Sequence, residues 1–403
     1  MIYRAFFKSI LSRMDAERAH RLAARVMRLL TAIPGVALAL GWMLRPRDKA
    51  LSMHTMGLHL KTPLGVAAGV DKNATWFRGL AALGFGFIEM GTVTAQAQPG
   101  NPGRRVARLP RDRALLNGMG FPNDGAAVIA RRLAKRRTEI IGVNIGKTMK
   151  VDLEDVIADY QASARMLSAH ADYLVINVSS PNTPGLTEMQ SLDRLTALVG
   201  GVRDSVQEIA PHVPLLIKIG PELTNPEVDQ IADLALSLEL DGIVAVNTTI
   251  RLDLATASTE EINQLPHRGG ISGAPLKARS LEILQRLNER IRGRLTLISV
   301  GGIETPEDAW KRILAGASLL QVHTAFVYQG PLWPNRMNRG LSKCLRESPW
   351  STIAEAVGKG RVNPEQQPDG DLTPAVQQPN PPVVEAGFGR PVGSTHVQSG
   401  RRL

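Results

Sequence analysis

From Thr62 onward, short apolar runs rich in β-branched residues alternate eight times with segments of helical periodicity. The runs begin near Leu64, Phe85, Ile140, Tyr173, Leu215, Gly242, Leu295 and Leu319. Between and after them, residues 74–83, 123–137, 154–170, 190–209, 226–239, 279–292, 305–315 and 334–346 carry the helical pattern. Continuous apolar strands bounded by turns are the mark of parallel strands buried on both faces. Eight βα units in one block predict a closed (β/α)8 TIM barrel rather than a doubly wound sheet. Ahead of the first unit, alternation around Gly57 in MHTMGLHLKTP predicts a hairpin plugging the bottom of the barrel.

The two ends of the chain break this rhythm. Residues 1–14 scatter Ile2, Phe6, Phe7, Ile10 and Leu11 among Arg4, Lys8 and Arg13. Asp15 then caps a helix whose Ala19, Leu22, Ala23, Val26, Met27, Leu29 and Leu30 form one face, flanked by Arg18, Arg21, Arg25 and Arg28. A second apolar stretch follows Pro34. Two readings stand open for residues 1–48: basic amphipathic helices lying on a membrane surface, or a helical pair packed on the barrel. No run reaches the roughly 18–20 apolar residues of a transmembrane helix. Beyond residue 348 the chain turns to Pro, Gln and Gly with few aromatics, so residues 349–403 are expected to be a disordered tail. The organisation is an extension over 1–48, a catalytic barrel over 49–348 and that tail.

Composition narrows the chemistry. With 403 residues and 43% hydrophobic content the chain can bury one large core. Its single cysteine, Cys344, excludes an internal disulfide and a cysteine zinc cluster, which fits a reducing cytoplasm. A net charge of +11 suits an anionic substrate, an anionic cofactor or an anionic membrane. Nucleic acid is disfavoured, because aromatics are 4% of the chain and no basic run is interleaved with them. The densest basic cluster, Arg131, Arg132, Lys135, Arg136 and Arg137, reads as the solvated face of a helix. The histidines are scattered, which argues against a metal site. Neither a GxSxG elbow nor a GxGxxG turn is present, so hydrolase and dinucleotide-binding chemistries lose their usual motifs.

The strand ends carry what remains. In a barrel of this kind the loops after the strands build the active site. Lys72 follows the first strand, and Lys218 ends the fifth; Asn144, Asn177 and Asn247 sit at the third, fourth and sixth. That repetition points to a polar heteroaromatic ligand bearing carbonyls or a carboxylate. After the seventh and eighth strands come Gly301, Gly302 and Thr324, where barrels commonly hold a phosphate on backbone N–H groups. A phosphate-bearing cofactor such as FMN fills both halves of the pattern. The stretch over 173–186, YLVINVSSPNTPGL, is a buried strand running into a hydroxyl- and amide-rich loop. Taken alone it reads equally well as an active-site loop or as an ordinary polar connection.

These stretches together resemble the dihydroorotate dehydrogenases. LGVAAGVDKN, GFIEMGTVT, QPGNP, NGMGFPN, GVNIGK, INVSSPNTPGL, IKIGP, VNTT, GGISGAPL, VGGI and GASLLQVHTAF stand in the family's order over about residues 50–345. The helical extension and a serine rather than a cysteine in the fourth loop are similar to the quinone-dependent, membrane-associated class 2. The resemblance implies oxidation of dihydroorotate to orotate in pyrimidine biosynthesis, with FMN taking the hydride and a membrane quinone, ubiquinone or menaquinone, as final oxidant. It also implies a peripheral protein on the cytoplasmic face of the cell inner membrane, binding neither nucleic acid nor metal.

The resemblance further implies Ser180 as the base, relayed through Thr183 and shielded by Phe121. Lys72, Asn117, Gly118, Met119, Gly120, Phe121, Asn177, Asn182, Asn247 and Thr248 would hold the substrate. Ala68, Gly69, Val70, Asp71, Lys72, Thr92, Asn144, Asn177, Lys218, Val246, Gly273, Gly302, His323 and Thr324 would hold FMN. Four positions depart from the family pattern: Gly118 for arginine, Ala107 for phenylalanine, His323 for tyrosine and Val246 for threonine. The expectation drawn from them is a changed quinone mouth, with an altered oxidant or a wider tunnel. A repurposed FMN-binding barrel with lost turnover is the alternative. A 2-hydroxy acid oxidase would need a histidine base, and none is suitably placed.

Overall fold

The eight apolar runs close on themselves. The computed structural model describes residues 9–135, 137–180, 182–183, 191–256 and 269–360, with Tyr3, Phe7 and Ile262 besides. In chain order the elements begin with α1 (Ala16–Ala32), α2 (Val36–Leu44), β1 (Met53–Thr55), β2 (Leu58–Leu60), β3 (Leu64–Val66), α3 (Phe77–Ala82) and β4 (Phe87–Val93). Then come β5 (Val106–Leu109), β6 (Ala114–Asn117), α4 (Ala126–Leu133), β7 (Ile140–Ile145), α5 (Val156–Leu167), β8 (Tyr173–Asn177), α6 (Leu192–Ile209) and β9 (Leu215–Ile219). The chain continues with α7 (Asn225–Ser237), β10 (Gly242–Ala245), β11 (Gly270–Gly273), α8 (Lys277–Ile291), β12 (Thr296–Val300), α9 (Pro306–Leu314) and β13 (Leu319–Val322). It ends in α10 (Thr324–Gln329), α11 (Trp333–Arg346) and α12 (Ile353–Ala356).

Strands β3, β4, β7, β8, β9, β10, β12 and β13 pair in parallel and in that order to a closed barrel, β13 returning to β3. These are the eight expected strands. Every residue of β4, β8, β9 and β10 is buried, as helices covering a parallel sheet require. Large rings fill the interior beside glycines. A Cβ on Gly65 would lie 2.4 Å from the Phe87 ring, and one on Gly142 would lie 2.0 Å from Tyr173. Helix starts follow local chemistry: Thr224 with Glu227 and Thr305 with Asp308 form capping boxes, each with a proline in the first turn.

The hairpin β1–β2 forms around Gly57 as expected. Thr55 Oγ1 lies 2.6 Å from Thr296 Oγ1 at the first residue of β12, so the hairpin closes the N-terminal end of the barrel. One element was not legible beforehand. β5, β6 and β11 make a three-stranded antiparallel sheet, inserted after β4 and β10 at the barrel's C-terminal face.

The tail boundary at 349 needs correction. Residues 349–360 belong to the folded body, with Ile353 and Ala356 fully buried and Thr352 capping α12. Gly358 and Gly360 donate to Ile313 and Leu314 carbonyls on α9, which anchors this return. The rest of the expected tail, 361–403, lies outside the described residues, as do Ile2, Arg4, Phe6 and Lys8 of the first segment. Helix α1 satisfies part of each reading of the extension. Ala19 is buried and Met27 packs on Gly79 of α3, while Leu22, Val26, Leu29 and Leu30 stay exposed. Helix α2 presents Leu38 at 76% and Trp42 at 73% exposure. No single described helix is long and apolar enough to cross a membrane, and α1 and α2 bend by 107° at their junction.

Candidate active site

Side chains from neighbouring strands lock one another inside the barrel. Glu89 on β4 is fully buried and accepts from Asn144 Nδ2 at 2.9 Å and Gln321 Nε2 at 2.6 Å. Its carboxylate lies 3.9 Å from Lys218 Nζ on β9. Burial pulls the Lys218 pKa below the usual lysine range, and Glu89 opposes that pull. Pairing is what makes both burials tolerable. Thr92 Oγ1 donates to Asn144 Oδ1 at 2.6 Å and accepts from Asn177 Nδ2 at 3.0 Å. Asn177 Oδ1 accepts from the Ser179 N–H at 3.2 Å and from Asn247 Nδ2 at 3.4 Å. The amides of three strand tops are therefore oriented by each other. Glu89 and Gln321 were missed from sequence, although an acid inside the run FIEMGTV was a usable signal.

The loop after β8 meets the sheet that β6 belongs to. Ser180 is 4% exposed and its Oγ accepts from the Asn182 N–H at 3.3 Å. Asn182 Nδ2 donates to the Asn117 carbonyl at the end of β6, at 3.2 Å. Asn182 Oδ1 and Thr183 Oγ1 are buried and have no hydrogen-bond partner among the described residues. Buried polar atoms of that kind call for a ligand or a water. Pro181 and residues 184–186 of this stretch lie outside the described residues.

Beyond Asn117 the chain is held residue by residue. Gly118 donates to the Arg105 carbonyl at 2.8 Å, and Met119 accepts from the Asn101 N–H at 2.9 Å. The Gly120 and Phe121 carbonyls accept from Gln98 Nε2 at 2.9 Å and Asn123 Nδ2 at 2.8 Å. Phe121 has φ 51, a left-handed conformation that costs a bulky residue about 1–3 kcal/mol and that these bonds maintain. Its ring lies over Gly146, where a Cβ would come within 3.0 Å of Cε2. The glycine of NIGK is required by that approach.

Lys72 is half-buried and donates to the Gly69 carbonyl at 2.6 Å. Burial lowers its pKa to about 8, against the attraction of Glu17 on α1. A cleft runs from Ala68, Lys218, Val246, Asn247 and Thr248 to an end formed by Gly273, Gly301, Gly302 and Thr324. His323 also lines it, kept neutral by burial, which lowers its pKa to about 3. At the glycine end the backbone comes too close for side chains. A Cβ on Gly302 (φ +70) would lie 2.6 Å from Lys277 Cα, and one on Gly273 (φ +103) 2.4 Å from the Arg113 carbonyl. Two further residues shape this end and were missed from sequence. Ser272 Oγ lies 2.7 Å from Thr324 Oγ1. Arg312, 2% exposed, braces the turn by donating to Lys277 O at 2.7 Å, Ser280 Oγ at 2.8 Å and Gly301 O at 3.0 Å.

Local packing places three further residues. The Asp71 carboxylate accepts the backbone N–H groups of Asn73, Thr75 and Trp76, at 3.3, 3.0 and 2.9 Å. Its side chain supports the loop after β3. Val70, 2% exposed, belongs to the hydrophobic core. Ala107 does not face the N-terminal extension: strand alternation turns it into a separate apolar cluster with Leu109, Leu116 and Ile271. Arg108 faces the extension instead, donating to the Met14 carbonyl at 2.8 Å and lying 5.8 Å from the Phe7 ring centroid.

The described site has close counterparts. The family profile of dihydroorotate dehydrogenase matches residues 50–345. The dihydroorotate dehydrogenase (quinone) of Streptomyces coelicolor is 52% identical over 89% of this chain and 98% of its own length. The protein of the same name from Thermobifida fusca is 49% identical, over 91% and 99%. The ligand-free dihydroorotate dehydrogenase structure from Eimeria tenella superposes with a TM-score of 0.77 at 33% identity, covering 88% of this chain and all of that one. With the barrel, the strand-top residues and these matches in agreement, the chain belongs to the dihydroorotate dehydrogenase family, in its class 2 branch.

Proposed function

We propose that the chain oxidises (S)-dihydroorotate to orotate in de novo pyrimidine biosynthesis, with FMN as hydride acceptor and a membrane quinone as final oxidant. The observation that carries this reading is the junction of the loop after β8 with the end of β6. There Asn182 joins Asn117, and two buried polar atoms beside Ser180 have no hydrogen-bond partner among the described residues. The residues fit the cofactor. Lys218 lines the cleft, and its other end offers glycine backbone and the Thr324 hydroxyl to a phosphate.

Bound FMN supplies the hydride acceptor and the relay of electrons to the quinone. Lys72 pairs with the substrate carboxylate, and Asn117, Asn177, Asn182, Asn247 and Thr248 bind the ring amides with residues 118–121 closing over them. Ser180 Oγ takes the C5 proton. A serine hydroxyl is a weak base, so Thr183 and a water pass the proton on, with the Phe121 ring excluding bulk solvent. Lys218, held 3.9 Å from Glu89, stabilises negative charge that develops along the cleft. His20 on α1 and His323 are close enough that a charge on one suppresses a charge on the other. With Arg108 they form the side from which a quinone approaches. The exposed Leu38 and Trp42 of α2 rest on the cytoplasmic face of the inner membrane. Purified protein is expected to be yellow, to release one FMN per chain on denaturation, and to reduce a quinone dye when given dihydroorotate. A colourless protein, or FAD in the supernatant, would refute the cofactor assignment.

A further inference from the structure

Helix α1 and the substrate loop are two ends of one hydrogen-bonded chain. Glu17, in the first turn of α1, receives Arg105 Nη2 on Oε1 at 2.8 Å and Arg105 Nε on Oε2 at 3.0 Å. This fork-to-carboxylate pair is largely sheltered, with side-chain exposures of 15% for Arg105 and 21% for Glu17. The other arm of the guanidinium, Nη1, donates to the Pro99 carbonyl at 2.6 Å and the Asn101 carbonyl at 3.1 Å. Asn101 then grips the loop. Its Nδ2 donates to Gly118 O at 2.8 Å, and its N–H to Met119 O at 2.9 Å. The turn has no slack, since a Cβ on Gly100 would lie 2.2 Å from Met119 O and one on Gly120 would lie 2.8 Å from Asn101.

We propose that Glu17 is a positioning residue for dihydroorotate, making the seating of α1 on the barrel and the ordering of residues 118–121 a single event. The inference rests on the substrate assignment made above. An exposed surface ion pair would contribute little, but a two-bond pair sheltered between elements fixes geometry. Glu17 also acts on the second substrate group, because it is the strongest attraction favouring the charged form of Lys72. The other groups that Lys72 meets are Arg105, which disfavours its charge, Asp71, which favours it, and His20 and His323, both held neutral by burial. Since Glu17 belongs to the extension with the exposed apolar face, whatever loosens α1 weakens substrate binding. By reciprocity, substrate occupancy tightens α1.

The test uses full-length holoprotein, orotate as the probe, and flavin absorbance as the readout. Glu17→Gln keeps the shape and removes the charge. It is expected to weaken orotate binding by about 5- to 150-fold, the range of typical coupling energies, with flavin content and kcat at saturating dihydroorotate little changed. Lys72 binds the carboxylate when charged, so orotate affinity is lost as pH rises through its pKa of about 8. Without Glu17 that loss begins at lower pH, which a merely structural role would not produce. Arg105→Lys, which keeps the charge and loses the fork, is expected to weaken binding without moving the pH limb downward. It stands in as the test if the first variant fails to fold. Orotate is expected to slow amide exchange in α1 of the wild type and not of Glu17→Gln. Unchanged orotate affinity in both variants, or equal exchange in α1 with and without orotate, overturns the coupling. A wild type that does not bind orotate overturns the substrate assignment instead.

Discussion

Replacing Ser180 by alanine is expected to slow reduction of the bound flavin by dihydroorotate about 10²- to 10⁴-fold, the usual contribution of a positioned proton acceptor. Orotate affinity and flavin content should hold, because among the described residues Ser180 Oγ makes one local contact, with the Asn182 N–H at 3.3 Å. Among the described residues of that loop no stronger base stands beside it. Thr183 Oγ1 is buried without a partner among the described residues, and as an alcohol it is no better a base. Single-turnover mixing with dihydroorotate, followed at the flavin band, measures the step without involving the quinone. A Ser180→Ala protein bleached at the wild-type rate would remove Ser180 from proton transfer.

Lys72→Met is expected to have the largest effect on binding. A buried, hydrogen-bonded charge pair that loses one partner costs about 2–5 kcal/mol, or roughly 30- to 4,000-fold in Kd. Lys72 donates to the Gly69 carbonyl at 2.6 Å, which leaves further N–H groups of its ammonium for a carboxylate. Orotate titration of the variant, monitored by flavin absorbance, gives the number directly. Because the methionine has no proton to lose, the alkaline fall in affinity attributed to Lys72 should vanish as well. A variant that binds orotate with wild-type affinity and keeps the alkaline limb would place the carboxylate elsewhere.

Much of this site could be read from the chain because barrel chemistry is local to strand ends. Each of Lys72, Asn144, Asn177, Ser180, Lys218 and Asn247 stands at or just beyond the end of an apolar run, and the runs became strands with those residues at one face. What escaped depends on partners far apart in sequence. The β6–β11 pairing joins positions 153 residues apart, as in the Asn117–Gly270 contact, and each strand has only four residues. Glu17 and Arg105 are 88 residues apart with no motif linking them. Glu89 was visible as an anomaly, but its pairing with Lys218 was not. The resemblance sets Asp71 among the cofactor contacts, and the chain alone did not show that its carboxylate satisfies three loop amides. Two misses had available signals. Alternation along VARL turns Ala107 away from the neighbour that Arg108 faces. The cap Thr352, three residues before Glu355, announced α12 inside a segment whose composition suggested disorder.

Anaerobic stopped-flow absorbance of the holoprotein, mixed first with dihydroorotate and then with a ubiquinone or menaquinone analogue, tests substrate, flavin and oxidant in turn. Dihydroorotate is expected to bleach the oxidised-flavin band fully, and quinone to restore it. A flavin band that dihydroorotate leaves untouched would contradict the central claim.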